Sequence, residues 1–261
     1  MTLVFHELRR NTLSLIIWSA AVAFMLGVCI VIYPEMSSQM DELSAMMSDM
    51  GSFSSAFGMD QLNFGEFMGY FAIECGNTLG LGGAMFAAIV GATALAKEER
   101  DGTAEFLLTH PISRTRVVTE KLIATALQVA ILNAAAIAVT CLGILAVGVE
   151  AEFGKLALVF LAYFLLQIEF AAITFGISAF MKNGSLGVGL GLVFGMYFVN
   201  ILANLTEELE VLKYLTPFGY ADGAHIVPEG SIEIKYLAVG LALTVLCISA
   251  AYLKYKGKDI T

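Results

Sequence analysis

Between two long hydrophobic segments lies a polar island, Lys97-Glu-Glu-Arg-Asp-Gly-Thr-Ala-Glu-Phe-Leu-Leu-Thr-His-Pro-Ile-Ser-Arg114, and its residue types suit recognition rather than bond breaking. Lys97, Glu98, Glu99, Arg100 and Asp101 are charged without a gap, and Gly102 interrupts any helix they form. The Thr103 hydroxyl can then accept a hydrogen bond from a free N–H of a new first turn, where Glu105 meets the favourable end of the helix dipole. Phe106, Leu107 and Leu108 supply an apolar face. Pro111 ends that helix, because proline cannot continue a hydrogen-bonded turn, and Ser113 can cap the next. The pattern predicts a short amphipathic helix on the membrane surface, set between two breaks. A loop that only anchors its two flanking helices would need the charges but not this ordered series of breaks and caps.

The string Lys97-Glu98-x-x-x-Gly102-Thr103-x-Glu105-x-Leu107-Leu108-x-x-Pro111-Ile112-Ser113-Arg114 resembles the first cytoplasmic loop of permease subunits of ABC-2 type (type V) ABC transporters. The likeness is specific over residues 97–121 and topological elsewhere, with weaker echoes in Phe5-His-Glu-Leu-Arg-Arg10 and Pro217-Phe-Gly-Tyr220. It implies that the island is a coupling helix docking into a groove of an ATP-binding subunit. It also implies a complex of two such subunits, which bind ATP and Mg, with a second permease, identical or paralogous. The implied direction is export and the implied substrates are amphipathic: peptide antibiotics, lipids or drugs.

Enzymatic chemistry finds no support in the residues. His6, His110 and His225 are far apart, and the chain has no His-Glu-x-x-His pair and no nucleophile-elbow serine. It also lacks the Gly-x-x-x-x-Gly-Lys-Ser/Thr loop that cradles phosphates, so ATP hydrolysis is expected in a partner chain and no cofactor in this one. Nothing points to nucleic acid.

Three polar residues stand out inside apolar runs. Glu169 lies near the middle of a span, where an ionised carboxylate costs roughly 2.5–3.5 kcal/mol on insertion scales, so it must face protein or water. It reads either as a protonated group bonded to a neighbour or as a pathway residue. Asn133 lies at similar depth in another span, and Glu74 nearer the outer surface is the weaker candidate. Glycines at four-residue spacing, Gly187, Gly191 and Gly195, predict close helix contact, within the subunit as the simpler reading or between two subunits. Gly76, Gly80, Gly83 and Gly91 repeat the theme in an earlier span. Met36, Met40, Met46, Met47, Met50 and Met59 crowd one segment; thioethers select Cu(I), but methionine at helical spacing also packs, and no histidine or cysteine joins them. Cys29, Cys75, Cys141 and Cys247 lack paired spacing and read as small core residues rather than disulfide or metal ligands.

The elements that position these groups are membrane helices. With 58% hydrophobic and 14% charged residues the chain is an integral membrane protein. Apolar runs long enough to cross a ~30 Å hydrocarbon core fall at 13–33, 70–96, 117–148, 156–181, 185–204 and 235–253. They lack strand alternation, which predicts an all-α fold with six spans in one domain, 1–261. Eleven basic residues (Arg9, Arg10, Lys97, Arg100, Arg114, Arg116, Lys121, Lys182, Lys254, Lys256, Lys258) share one side, against Lys155, Lys213 and Lys235 on the other. The positive-inside rule therefore places both termini and the island in the cytoplasm of a cell-membrane protein. The opposite side is acidic, a solvated face that could also concentrate cations. No cleavable signal peptide is expected, since the first apolar run is as long as a span. Leu3, Val4 and Leu8 against His6, Glu7, Arg9 and Arg10 predict an interfacial helix before it, and the external segments 34–66 and 205–234 predict short surface helices. Two other classes fit a bundle of this kind: an ATP-independent carrier or channel using Glu169 as a proton or cation site, and a membrane sensor or scaffold.

Overall fold

The computed structural model describes residues 2–39, 62, 65–102, 112–182 and 184–258. Among them there is no strand. Helix α1 (Thr2–Arg10) precedes α2 (Thr12–Ser37), and α3 (Phe67–Cys75) runs through a π-helical stretch, Gly76–Gly82, into α4 (Gly83–Ala94). After the four-residue α5 (Lys97–Arg100) come α6 (Arg114–Val147), α7 (Phe153–Ser178) and α8 (Leu186–Leu205). Two 3-10 stretches, Glu207–Leu215 and Pro217–Gly219, lead to α9 (Gly223–Glu229) and α10 (Ile234–Lys256). Among the described residues, six helical stretches are long and apolar enough to cross a membrane: Thr12–Ser37, Phe67–Ala94, Arg114–Val147, Phe153–Ser178, Leu186–Leu205 and Ile234–Lys256.

Helix α7 is the centre of the bundle, packed chiefly on α4 and α10. The glycines of the second span allow that approach. A Cβ at Gly91 would stand 2.4 Å from the Ala171 carbonyl and one at Gly83 would stand 2.2 Å from the Gln167 amide nitrogen, so only glycine lets α4 and α7 meet this closely. The π-helical stretch departs from the uniform span expected from sequence. It carries three glycines, and the Gln167 side chain donates to the Leu79 carbonyl at 2.9 Å, satisfying a backbone acceptor in the widened turn.

The glycines of the fifth span behave differently. Among the described residues, a Cβ at Gly191 or Gly195 would meet nothing within 4 Å, and one at Gly187 would meet only Ser185. Close packing within the subunit therefore does not explain this stripe. Gly189, on another face, takes that role, since a Cβ there would stand 2.9 Å from the Ala88 carbonyl.

The segment after α8 forms the short helical stretches anticipated; Leu209, Val211, Tyr214 and Leu215 of the first are exposed, but the part from Thr216 to Val227 is largely buried. Residues Pro217, Phe218, Gly219 and Tyr220 are buried, the Phe218 ring sits 5.5 Å from that of Phe170, and Gly223 abuts Ala72. The turn dips among the spans at the end of the bundle opposite α5, and irregular backbone is tolerated there only because protein surrounds it. Pro228 falls inside α9. Of the methionines in the outer segment, Met36 belongs to α2, while Met40, Met46, Met47, Met50 and Met59 lie outside the described residues. All four cysteines are free, Cys29 and Cys75 buried and Cys141 and Cys247 half-buried.

Candidate functional site

Helices α1 and α5, the start of α6 and the end of α10 enclose a network of charges. Helix α6 begins where Ser113 caps it, accepting from the Arg116 N–H at 3.3 Å, which sets the register that turns Lys121 inwards. Lys121 is 1% exposed, and its ammonium donates to the Ala94 carbonyl at the end of α4 and to Glu98 of α5. Glu7 of α1 reaches the same cation at 3.6 Å with one carboxylate oxygen and Lys97 at 3.3 Å with the other. Lys97 also donates to Asn11 at 3.1 Å. An ion held this far from water is stable only when its partners are in place.

Further contacts brace the same element. Glu99 pairs with Lys258 at 2.7 Å, and Lys258 also donates to the Met181 carbonyl at 2.8 Å. Asp101 is bonded to Arg10 and, at 3.0 Å, to Arg100. Arg114 donates to the carbonyls of Tyr255, Lys256 and Lys258, closing the end of α10 onto the start of α6. The Leu3 N–H donates to Glu120 at 3.0 Å, which ties α1 to the same helix.

The electrostatics follow the geometry. Burial pushes the Glu7 carboxyl up, but the ammonium groups of Lys121 and Lys97 outweigh it and hold the group below the usual range. Burial draws Lys97 down despite Glu7. Hydrogen bonds from Arg100, and then from Arg10, draw Asp101 down.

The residues picked from sequence thus divide into two groups. Glu98, Glu99 and Arg114 turn towards the rest of the protein, while Arg100 and Asp101 keep part of their surface open. Gly102 has φ +66°, the left-handed conformation that stops α5. Thr103, Glu105, Phe106, Leu107, Leu108 and Pro111, the body of the proposed coupling helix, lie outside the described residues. Sequence reasoning passed over Glu7, Asn11, Lys121 and Lys258 as members of this cluster. A lysine one turn inside an apolar run was the available signal, because such a charge must find partners.

The three membrane candidates do not converge. Glu169 is 4% exposed, accepts from the Tyr220 hydroxyl at 2.9 Å and packs against Gly240, where a Cβ would stand 2.2 Å from its carboxylate. Asn133 instead donates to the Gln167 side-chain oxygen at 2.7 Å. Glu74, half-buried, accepts from the Cys29 thiol at 3.5 Å. Gln167, two residues from Glu169 and so on a different helical face, went unremarked in the sequence although a span-borne amide also requires a partner.

No curated protein matches the chain. The model of the family described as ABC-2 family transporter protein matches residues 1–260, and this chain belongs to that family as a membrane permease without ATPase activity of its own.

Proposed function

We propose that the chain is the permease of an ATP-driven exporter, with both termini cytoplasmic and the 97–114 element as the site that docks an ATP-binding subunit. ABC-2 permeases function with ATP-binding subunits. The Lys121 network is the observation that carries this reading for the present chain. A push on α5 is not absorbed by a slack loop. Through Glu98 and Lys121 it reaches α6, through Ala94 the end of α4, through Glu7 the interfacial helix, and through Glu99 and Lys258 the carboxyl-terminal turn. Closure of two ATP-binding subunits around bound nucleotide would displace this block and lever the second and third spans.

A second permease, identical or paralogous, completes the pathway in this reading. Gly187, Gly191 and Gly195 leave a small-residue stripe open on α8, beside exposed Phe194 and Phe198, which suits a helix from another subunit. The substrate proposed is amphipathic. Glu169 is assigned an anchoring role for the re-entrant turn, because Tyr220 and Gly240 enclose its carboxylate. The experiment is reconstitution with the ATP-binding subunit: Arg100→Glu together with Phe106→Asp should weaken association while leaving the permease folded, and unchanged association would remove the docking assignment.

A further inference from the structure

Helices α6 and α7 part to leave an apolar groove of about 490 Å³, within the roughly 300–1,000 Å³ of sites that hold small molecules. Ile137, Leu156, Phe160 and Leu161 line it, and Asn133 is the one amide among its lining residues. Ile137 and Leu161 are exposed at its edge, on the flank of two spans that a bilayer would cover.

The bonding of Asn133 is fixed by a backbone group. Leu79 presents a carbonyl, which can only accept, so Gln167 must point its NH2 there, at 2.9 Å. The Gln167 oxygen then faces Asn133, whose NH2 gives one hydrogen to it at 2.7 Å and the other to the Val129 carbonyl at 2.9 Å. Both Asn133 donors are spent, and its own oxygen is left buried with no partner among the described residues. Reversing either amide would set oxygen against oxygen. What Asn133 lacks is a donor, and an unpaired buried acceptor favours any occupant that brings one.

We propose that this groove binds, from the bilayer, an apolar molecule of the long-chain alcohol class, its hydroxyl donating to Asn133 and its chain lying between α6 and α7. Occupancy would extend the hydrogen-bond series from ligand to Asn133 to Gln167 to the Leu79 carbonyl, and so into the π-helical stretch of the second span. The site is independent of the ATP-coupled reading, since it uses neither the charge network nor a partner subunit.

The test uses the full chain in lipid nanodiscs with two probes: hexadecanol carrying a mid-chain diazirine, and its methyl ether, which keeps the chain and loses the donor. Irradiation followed by peptide mass spectrometry should place the alcohol on α6 and α7, with labelling several-fold above that by the ether. Ala157→Phe, which fills the groove without touching the bonds of Asn133, should abolish the excess. Asn133→Leu should bring the alcohol down to the level of the ether. Should Asn133→Leu fail to fold, the comparison of probes and Ala157→Phe still decide. Equal labelling by both probes, labelling spread over all lipid-facing helices, or labelling insensitive to Ala157→Phe would overturn the proposal.

Discussion

Lys121, on the third span, and Glu98, on the element after the second, form a buried ion pair that joins the two sides of the 97–114 island. Neither charge has ready access to water, so each depends on the other. Removing one partner of such a pair costs about 3–5 kcal/mol, whereas replacing both by apolar residues is often close to neutral. Lys121→Met and Glu98→Leu should each lower the melting temperature of the purified permease, and the double variant should recover much of the loss. Additive losses in that cycle would show that the pair is not coupled.

Acid should release α1 late. The Glu7 carboxyl is held below its ordinary value of 4.5, so the stability it adds is fully present above that value and is lost only as pH falls through the lower folded-state value. Glu7→Gln should therefore melt earlier than the parent at pH 7, and the difference should shrink below about pH 4. A difference constant across that range would contradict the assignment of Glu7 as an ionised bridge.

Glu169 and Tyr220 should behave as an anchor. Glu169→Gln keeps an acceptor for the Tyr220 hydroxyl, so transport by the complex should match the parent at every pH assayed. Tyr220→Phe strands the acceptor and should destabilise the protein by about 1–3 kcal/mol. Altered transport or altered pH dependence in Glu169→Gln would return the residue to the substrate pathway.

The two glycine faces of α8 should separate. Gly189→Leu drives a side chain into the Ala88 carbonyl and should impair folding of the single subunit. Gly191→Leu meets open space and should fold normally yet weaken permease pairing, measured by cross-linking in native membranes. Normal pairing in Gly191→Leu would discard the stripe as an interface.

Sidedness can be read with impermeant thiol reagents. A cysteine at Ser231, exposed beyond α9, should react from outside the cell and one at Arg100 should not. The reverse pattern would invert the protein and remove the docking site from the compartment that holds ATP.

The spans, the break at Gly102 and the Ser113 cap were legible because hydrophobic run length and capping chemistry are local properties. Span limits moved by several residues, as at Thr12–Ser37 and Arg114–Val147, because helices continue past the apolar run when their ends are capped or braced. What joins the elements was not legible. Glu7 and Lys121 are far apart in sequence, and no periodicity relates them. The inward dip of Tyr220 and the pairing of Asn133 with Gln167 depend on which helices become neighbours. The π-helical stretch likewise lies against Tyr163 and Gln167 of α7 through Gly76, Gly80 and the Leu79 carbonyl, neighbours that a run of apolar residues does not encode.

The most direct test of mechanical coupling is transport per ATP hydrolysed in proteoliposomes containing the permease and its ATP-binding subunit, comparing the parent with Lys121→Met. The account predicts that the subunits still assemble and hydrolyse ATP while the transport yield per ATP falls severalfold, because the push on α5 no longer reaches α4 and α6 through a fixed cation. A parental yield per ATP in an assembled Lys121→Met complex would contradict the claim that this network carries the stroke.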